Sequence, residues 1–207
     1  TGLGLVLEQA GRNLSASPLQ SSVLVAATVI GELGSASQKE ALLPAIAAGE
    51  TLVSLALQEA PHHAPLQCAM SASKTGDHFI LSGTKLLVMD APAADAFIVL
   101  ARTAGAPGDD DGLSAFLLQA ETEGLSVAPG KMVDSRAYGT LTLTDVKVAE
   151  DQLLGDIGQA SKGLGHALDI INIGLASELL GLSAEAFERT AEYLKERKQF
   201  GRVIGSF

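Results

Sequence analysis

The side chains best suited to metal binding or nucleophilic chemistry are the adjacent pair His62 and His63 and the cysteine Cys68. Adjacent side chains diverge from the backbone, so both histidines would reach one ion only in an unusual geometry. No cysteine or carboxylate pattern with zinc-ligand spacing accompanies them. We therefore predict a histidine pair in a loop, no metal site, and a cysteine that packs as a small apolar residue.

The net charge of the chain indicates which classes of partner it can bind. Lys and Arg number 14 against 24 Asp and Glu, which gives a net charge of −10. This balance disfavours nucleic acid, because phosphate binding needs a basic surface. A single arginine or a helix N-terminus can still bind a small anion locally. The acidic stretch at 105–112 is interpreted as a solvated hairpin connection.

The cysteine content, the length of the apolar runs and the first residues indicate the cellular compartment of the protein. A single cysteine excludes an internal disulfide and fits a reducing environment. No run of about 18 uncharged apolar residues occurs, so no membrane span is expected. The first nine residues lack the basic flank and cleavage site of a secretory signal. We therefore expect a cytoplasmic protein.

Hydrophobic spacing predicts helices in the first fifty residues. Gly11 is expected to end the first, and Pro18 stands near the start of the second. The third has Ser37 as its predicted N-cap, Gly49 at its end and a kink or break at Pro44.

A long helix is predicted from Ser161 to Phe200, because apolar residues recur every three or four positions and no proline interrupts them. Its last turn carries basic residues, which complement the helix dipole, and Gly201 is expected to end it. This length exceeds that of most globular helices. The helix should therefore pack against others, of this chain or of a partner. The terminal helical pieces lack such partners here, so the chain is expected to be incomplete.

The middle of the chain has a different period. Short apolar runs separated by Gly, Asp and Pro turns predict an antiparallel β-sandwich or barrel. Within 140–148 apolar and polar residues alternate, and the pair Thr144-Asp145 breaks the register by one, which predicts a bulge. Ser82-Gly83 marks a further turn or bulge. The fold class is therefore α+β.

Several segments together carry a family resemblance. They are 34–50 (GSASQKEALLPAIAAGE), 56–59 (ALQE), 76–85 (GDHFILSGTK), 141–148 (LTLTDVKV) and 193–207 (YLKERKQFGRVIGSF). Their order and spacing resemble the acyl-CoA dehydrogenase family, and the Tyr-x-x-x-Arg-x-x-Phe-Gly pattern of the last segment is the most specific.

The resemblance implies a division into the end of an N-terminal helical domain (1–51), a middle β-domain (52–157) and the start of a C-terminal helical bundle (158–207). It implies FAD, and the α,β-dehydrogenation of an acyl-CoA thioester through proton abstraction by a carboxylate and hydride transfer to the flavin. It also implies a dimer or tetramer and an electron-transfer flavoprotein as a partner.

The sequence departs from the family where the subunit's own flavin would bind. Gln58 replaces the usual threonine before Glu59, and prolines replace the glycines of the loop that follows. Leu87, Val88 and Met89 replace Trp-Ile-Thr on the flavin-facing strand. A stacking aromatic, two hydroxyl donors and close backbone approach are lost, so we expect a degenerate flavin pocket.

The segment that the family uses to reach a neighbouring subunit's FAD is retained. By the resemblance, Arg197, Gln199 and Phe200 belong to it. An arginine fork suits a pyrophosphate, and Phe200 would pack on the flavin or adenosine. The alternative interpretation is a surface arginine and a core phenylalanine.

No catalytic base can be assigned. In some subgroups of the family the catalytic glutamate lies beyond the position of Phe207. In another it lies near Asn172, whose amide has no basic form. Glu178 points elsewhere on the same helix and is interpreted as structural.

Three hypotheses follow. The first is a subunit that completes a partner's flavin site in a heteromer, as in the actinobacterial steroid side-chain subgroup that 7–14 (LEQAGRNL) resembles. The second is a non-catalytic structural or acyl-CoA-binding paralogue. The third is a homomeric acyl-CoA dehydrogenase with an unusual flavin pocket. The acyl group is not determined by this sequence.

Overall fold

The computed structural model describes residues 2–134 and 136–207. Contacts divide the chain into two compact units, Pro18–Asp169 and Thr1–Ser17 with Ile170–Phe207. The three-part division into family domains stays a prediction. The α-helices of the described residues are α1 (Gly2–Arg12), α2 (Ala27–Leu33), α3 (Ala36–Ala48) and α4 (Ala160–Glu196).

The larger unit opens with helices close to the predicted positions. Pro18 directly precedes a π-helical segment, Leu19–Ala26, which runs into α2. The N-cap of α3 is Ser35, so the predicted cap at Ser37 is wrong. Both serines have a Gln or Glu three residues on, but it is Gln38 that completes the capping box, and its side-chain amide also donates to two main-chain carbonyls of residues 151 and 153 at 3.0 Å.

The end of α3 follows the sequence more closely. Gly49 ends this helix in the left-handed region, with φ of 73°. A residue without Cβ adopts that conformation without strain, so Gly49 acts as predicted. The break predicted at Pro44 does not occur, because Pro44 lies inside the helix.

An eight-stranded mixed sheet forms the rest of this unit, in the order β6-β7-β3-β2-β4-β5-β8 with β1 added beside β4. Its strands are β1 (Val53–Ala56), β2 (Ser71–Thr75), β3 (His78–Met89), β4 (Ala96–Arg102), β5 (Leu113–Gln119), β6 (Leu125–Lys131), β7 (Ala137–Ala149) and β8 (Leu153–Leu154). Most neighbouring strands pair antiparallel, as predicted, but the sheet is mixed because β4 also pairs in parallel with β1 and, at one residue, with β2. β1 pairs with β4 in parallel, a non-local pairing that no local pattern reveals.

The predicted bulge is confirmed. The pairing of β3 with β7 shifts register between Leu81 and Gly83, where Thr144 and Asp145 together oppose Ser82. The Ser82 hydroxyl donates to the Asp145 carboxylate at 2.9 Å and accepts from the Asp145 amide at 3.0 Å. These bonds stabilise Asp145 at a φ of 51°, a conformation that Asp tolerates better than most residues.

The core of the larger unit lies on the sheet. All seven residues of β4 are buried, as expected for a strand covered on both faces. Phe79 and Phe116 meet edge to face with ring centroids 5.1 Å apart, a favoured aromatic geometry. The apolar side chains of the sequence are therefore buried mainly against this sheet.

The smaller unit contains α1 and the C-terminal part of α4. The two helices cross closely, because a Cβ at Gly11 would lie 2.0 Å from the Glu178 carbonyl oxygen and one at Gly181 would lie 1.8 Å from the Glu8 carbonyl oxygen. Gly11 is thus a packing residue within α1, and the helix end predicted at Gly11 falls at Arg12 instead. The Arg12 guanidinium forms ion pairs with glutamates 185 and 188 of α4.

The long helix is confirmed, but it ends at Glu196 rather than Phe200. Its exposed apolar side chains include Ile173, Leu179 and Phe187. By length and composition alone this helix could cross a membrane, and only 22% of its most apolar 18-residue window is buried. Helices of soluble bundles meet the same criterion, so the expected packing against further helices stays a prediction.

Candidate functional site

The three residues expected to reach a partner's cofactor are brought together on one hairpin. Beyond α4 the chain forms β9 (Lys198–Gln199) and β10 (Arg202–Val203), with Phe200 and Gly201 as the two-residue turn. Both turn residues have positive φ, 51° and 82°, as a type I′ turn requires. Gly201 therefore serves the hairpin turn, and the prediction that it ends the helix is wrong.

The hairpin presents aromatic and cationic groups to solvent. Phe200 is 90% exposed, so it is not part of the core that the described residues form. Its ring meets Phe207 edge to face at 6.4 Å, and the Arg202 guanidinium lies 3.8 Å from the Phe207 ring centroid. Phe200 adopts a left-handed conformation that is unfavourable for a bulky residue.

Arg197 and Gln199 stand beside this turn and are exposed. The Arg197 amide donates to the Tyr193 carbonyl at 2.9 Å, and the Arg197 carbonyl accepts from the Ile204 amide at 2.8 Å. The backbone of Arg197 is thus held between the helix end and the following turn. An exposed guanidinium on a fixed backbone is suited to bind an anionic group with little loss of main-chain entropy.

Gln58, Val88 and Met89 lie in the other unit, around the ends of β1 and β3. The Gln58 side chain is bound within its own loop: its amide nitrogen lies 2.8 Å from His63 Nδ1, and its amide oxygen accepts from the Ala64 amide at 3.2 Å. Val88 is 1% exposed. The Met89 carbonyl accepts from the Ser54 hydroxyl at 2.7 Å.

The contacts of Gln58, Val88 and Met89 indicate whether a flavin fits against β3. None of the three side chains offers a hydroxyl, the Gln58 amide is engaged, and the Val88 side chain is packed in the core. Leu87, where the family has an aromatic, is an exposed aliphatic residue with φ of 53°. The side chains at this position therefore do not fit a flavin ring in the way the family's residues would.

A buried polar cluster was missed by the sequence reasoning. The Lys85 ammonium is fully buried and donates to the Glu59 carboxylate at 2.6 Å, to the Leu57 carbonyl at 3.3 Å and to the Cys68 sulfur at 3.3 Å. Three acceptors match the three donors of an ammonium. The signal was present, because period-two alternation from Phe79 places Lys85 on the inward face of β3.

The cluster alters the acidity of its members. Burial alone would raise the pKa of Glu59, but the hydrogen bond and charge of Lys85, with the amides of Ala69 and Met70, lower this pKa below the usual value. Burial raises the pKa of the Cys68 thiol to about 11. Cys68 is therefore a buried neutral thiol, as predicted, and a poor nucleophile.

The remaining candidates give no catalytic centre. His63 binds Gln58 within the loop, and no group of three or more potential metal-binding side chains occurs among residues 2–134 and 136–207. Asn172 is exposed on α4. The Glu178 carbonyl lies at the crossing with Gly11, and the structural interpretation of the Glu178 side chain stays a prediction.

A pocket of about 460 Å³ lies within the larger unit, where the first turns of α4 face two loops. Leu164 and Leu168 form an apolar wall, with Pro65 and Leu66 from the loop before β2. Residues 110 and 111 from the β4–β5 loop, with Ser161 and Lys162, add polar groups at its edge. A mostly apolar cavity with a few polar groups is typical of a small-molecule site.

Comparison with known proteins agrees with this architecture. Residues 60–146 match the family model described as acyl-CoA dehydrogenase, middle domain. The short/branched chain specific acyl-CoA dehydrogenase of Bos taurus mitochondria is 34% identical over 86% of this chain and 42% of its own length. The chain spans about half the length of the curated relatives it matches.

Solved structures resemble nearly the whole chain. The Tcur3481-Tcur3483 steroid ACAD G363A variant is 35% identical with a TM-score of 0.83, over 99% of this chain and 52% of that one. The ChsE4-ChsE5 complex from Mycobacterium tuberculosis is 28% identical with a TM-score of 0.85, over 99% and 52%. The FAD complex of PigA is 25% identical with a TM-score of 0.88, over 99% and 55%.

The family model, the relatives and the shared fold agree with each other and with the order of motifs in the sequence. This chain belongs to the acyl-CoA dehydrogenase family.

Proposed function

We propose that this chain is a subunit of a FAD-linked acyl-CoA dehydrogenase in which its C-terminal hairpin completes the flavin site of a partner subunit. The observation that carries the proposal is a contrast within the chain. Phe200 is exposed on a strained turn beside Arg197, whereas Gln58 is bound to its own loop.

The cofactor assignment draws on chemistry and on relatives. When bound, FAD supplies hydride acceptance, and the protein supplies position and polarity. The Arg197 guanidinium would bind a pyrophosphate, and the exposed ring of Phe200 would pack on an aromatic ring of the same cofactor. A related structure is an FAD complex, which supports this choice.

The heteromeric arrangement draws support from two related structures. One is named for a pair of proteins, Tcur3481-Tcur3483, and for a steroid substrate class, and the other is the ChsE4-ChsE5 complex. A subunit with a degenerate flavin pocket can take part in the dehydrogenation only if another subunit holds the cofactor. We therefore propose a homologous dehydrogenase subunit as the partner. We also propose an electron-transfer flavoprotein as the electron acceptor and the cytoplasm as the compartment.

The pocket beside α4 favours an acyl-CoA as the ligand. Its leucine and proline wall suits the apolar part of a thioester, and Lys162 with Ser161 supplies polar groups near the helix start. The same pocket would serve a non-catalytic acyl-CoA-binding paralogue. Flavin content separates that second function from the first, because a purely binding paralogue has no flavin associated with its complex.

The test is to co-express the protein with a homologous acyl-CoA dehydrogenase of the same organism, purify the complex and measure FAD per chain by absorbance at the flavin bands. The proposal predicts a yellow complex with fewer FAD molecules than chains. A colourless complex would favour the binding paralogue. One FAD for every chain would overturn the proposal in favour of a homomer-like site.

A further inference from the structure

Two loops of the larger unit line the pocket beside α4. The first joins β1 to β2 and contributes Pro65 and Leu66, and the second joins β4 to β5 and contributes residues 110 and 111. Neither loop contains a regular helix or strand. The width of the pocket therefore depends on what holds the two loops relative to each other.

Arg102, the last residue of β4, contacts both loops at once. Its guanidinium donates to the carbonyls of Leu66 and Cys68 on the first loop, at 2.8 and 3.3 Å. It also donates to the carbonyls of Asp109 and Asp111 on the second, both at 2.8 Å. Arg102 is only 6% exposed, and all four of these bonds are accepted by main-chain oxygens.

The chemistry of the guanidinium matters here. Its donors point in fixed, divergent directions in one plane, so one side chain bonds carbonyls that come from both sides. A lysine ammonium is a compact donor group on a flexible stem and would not span both loops in the same way. A direct bond from the Gly108 amide to the Leu66 carbonyl at 2.8 Å joins the same loops.

The start of α4 belongs to the same arrangement. The Ser161 hydroxyl donates to the carbonyl of residue 110, and the Gly112 amide donates to the Gly158 carbonyl at 2.8 Å. The second loop is thus fixed to the helix that forms the third wall. The bonds of Arg102 to Leu66 and Cys68, together with the Gly108–Leu66 bond, then hold the first loop against the second loop.

We infer that Arg102 is a positioning residue for this pocket: by bonding main-chain carbonyls of both loops, it sets the separation of their walls and hence the affinity for the ligand. The inference rests on the proposed function only in taking an acyl-CoA as that ligand. Arg102 itself is not among the groups expected to touch the reacting atoms.

The experiment compares Arg102→Met and Arg102→Lys with wild type in the full protein, using hydrogen exchange by mass spectrometry over 57–70 and 105–112. In both variants both loops should exchange roughly tenfold faster or more. Leu118→Ala is the matched control, because it opens a core cavity at the opposite end of the β4–β5 ladder. It should leave both loops as in wild type.

Binding of butyryl-CoA by calorimetry, well below the unfolding temperature, is the second readout. Arg102→Met should weaken it roughly tenfold while Leu118→Ala leaves it unchanged. Unchanged exchange in either loop, or equal effects of Leu118→Ala, would overturn the role of Arg102. If the wild-type protein binds neither butyryl-CoA nor free CoA, the assignment of this pocket to an acyl-CoA fails, and the exchange experiment still decides the role of Arg102.

Discussion

The side-chain amide nitrogen of Gln58 lies 2.8 Å from Nδ1 of His63. The family resemblance places a flavin-binding threonine at position 58, and here the side chain stabilises its own loop instead. Met89 offers no hydroxyl either. The sequence predicts a degenerate flavin pocket, and these two positions give the physical reason, because neither side chain can donate a hydroxyl hydrogen bond to a flavin.

Restoring the two hydroxyls should restore part of the flavin affinity. Each hydrogen bond contributes about 0.5–1.5 kcal/mol net, so the double substitution Gln58→Thr with Met89→Thr should strengthen FAD binding by this chain roughly tenfold to a hundredfold. Fluorescence titration with FAD measures the change. Ser126→Thr, on the edge strand β6, is the control. An affinity equal to wild type would show that these positions do not face a flavin.

The buried pair of Lys85 and Glu59 should make a large contribution to stability. Lys85→Met leaves the Glu59 carboxylate without its counter-ion, and breaking such a pair costs about 3–5 kcal/mol. The free energy of unfolding in urea gives the cost. The double variant with Glu59→Gln should be less destabilised than the sum of the single variants. Additive effects would contradict a coupled pair.

The lowered pKa of Glu59 predicts how stability depends on pH. Its carboxylate is deprotonated more readily in the folded than in the unfolded protein, so it contributes stability above the ordinary glutamate pKa of about 4.3. This contribution is lost as the pH falls through the lower folded pKa.

Wild type should therefore lose stability more steeply than Glu59→Gln as the pH falls from neutral to about 3. Urea unfolding at a series of pH values measures the two slopes. Parallel curves for the two proteins would mean that Glu59 titrates in the folded state as it does in the unfolded chain.

A substitution at Phe200 should have opposite effects on the stability of the chain and on the FAD content of the complex. Phe200→Asn gives Asn-Gly, the preferred type I′ pair, and places in the left-handed conformation a residue that tolerates it, whereas a bulky residue there costs about 1–2 kcal/mol. The melting temperature of the chain should rise slightly, while the FAD retained by the complex with the partner falls. A variant that is more stable and keeps its full FAD content would remove Phe200 from the proposed cofactor contact.

The fold was largely predictable where patterns are local. The alternating run in β7, the capping glycine at Gly49 and the bulge at Asp145 all show in the sequence, because each depends on neighbouring residues. β2 was missed because its residues 71–75 (SASKT) are mostly polar and exposed. The parallel pairing of β1 with β4 depends on residues some forty positions apart.

The candidate site was predictable only in part, because local sequence patterns do not show contacts between residues that are far apart in the chain. The hairpin residues could be assigned by resemblance, but the sequence predicts a helix through Phe200 because no proline marks the end of α4 at Glu196. Arg102 could not be identified in advance, since its acceptors are main-chain carbonyls, which leave no trace in residue types.

The most direct test of the shared flavin site is the FAD content of the complex with the partner after Arg197→Met. Arg189→Met is the matched control, because Arg189 is likewise an exposed arginine but lies within α4, where it pairs with Glu185. The account predicts that Arg197→Met releases FAD from a complex that still assembles, while Arg189→Met retains it. Full FAD content in the Arg197→Met complex would contradict the proposal that this hairpin completes the partner's site.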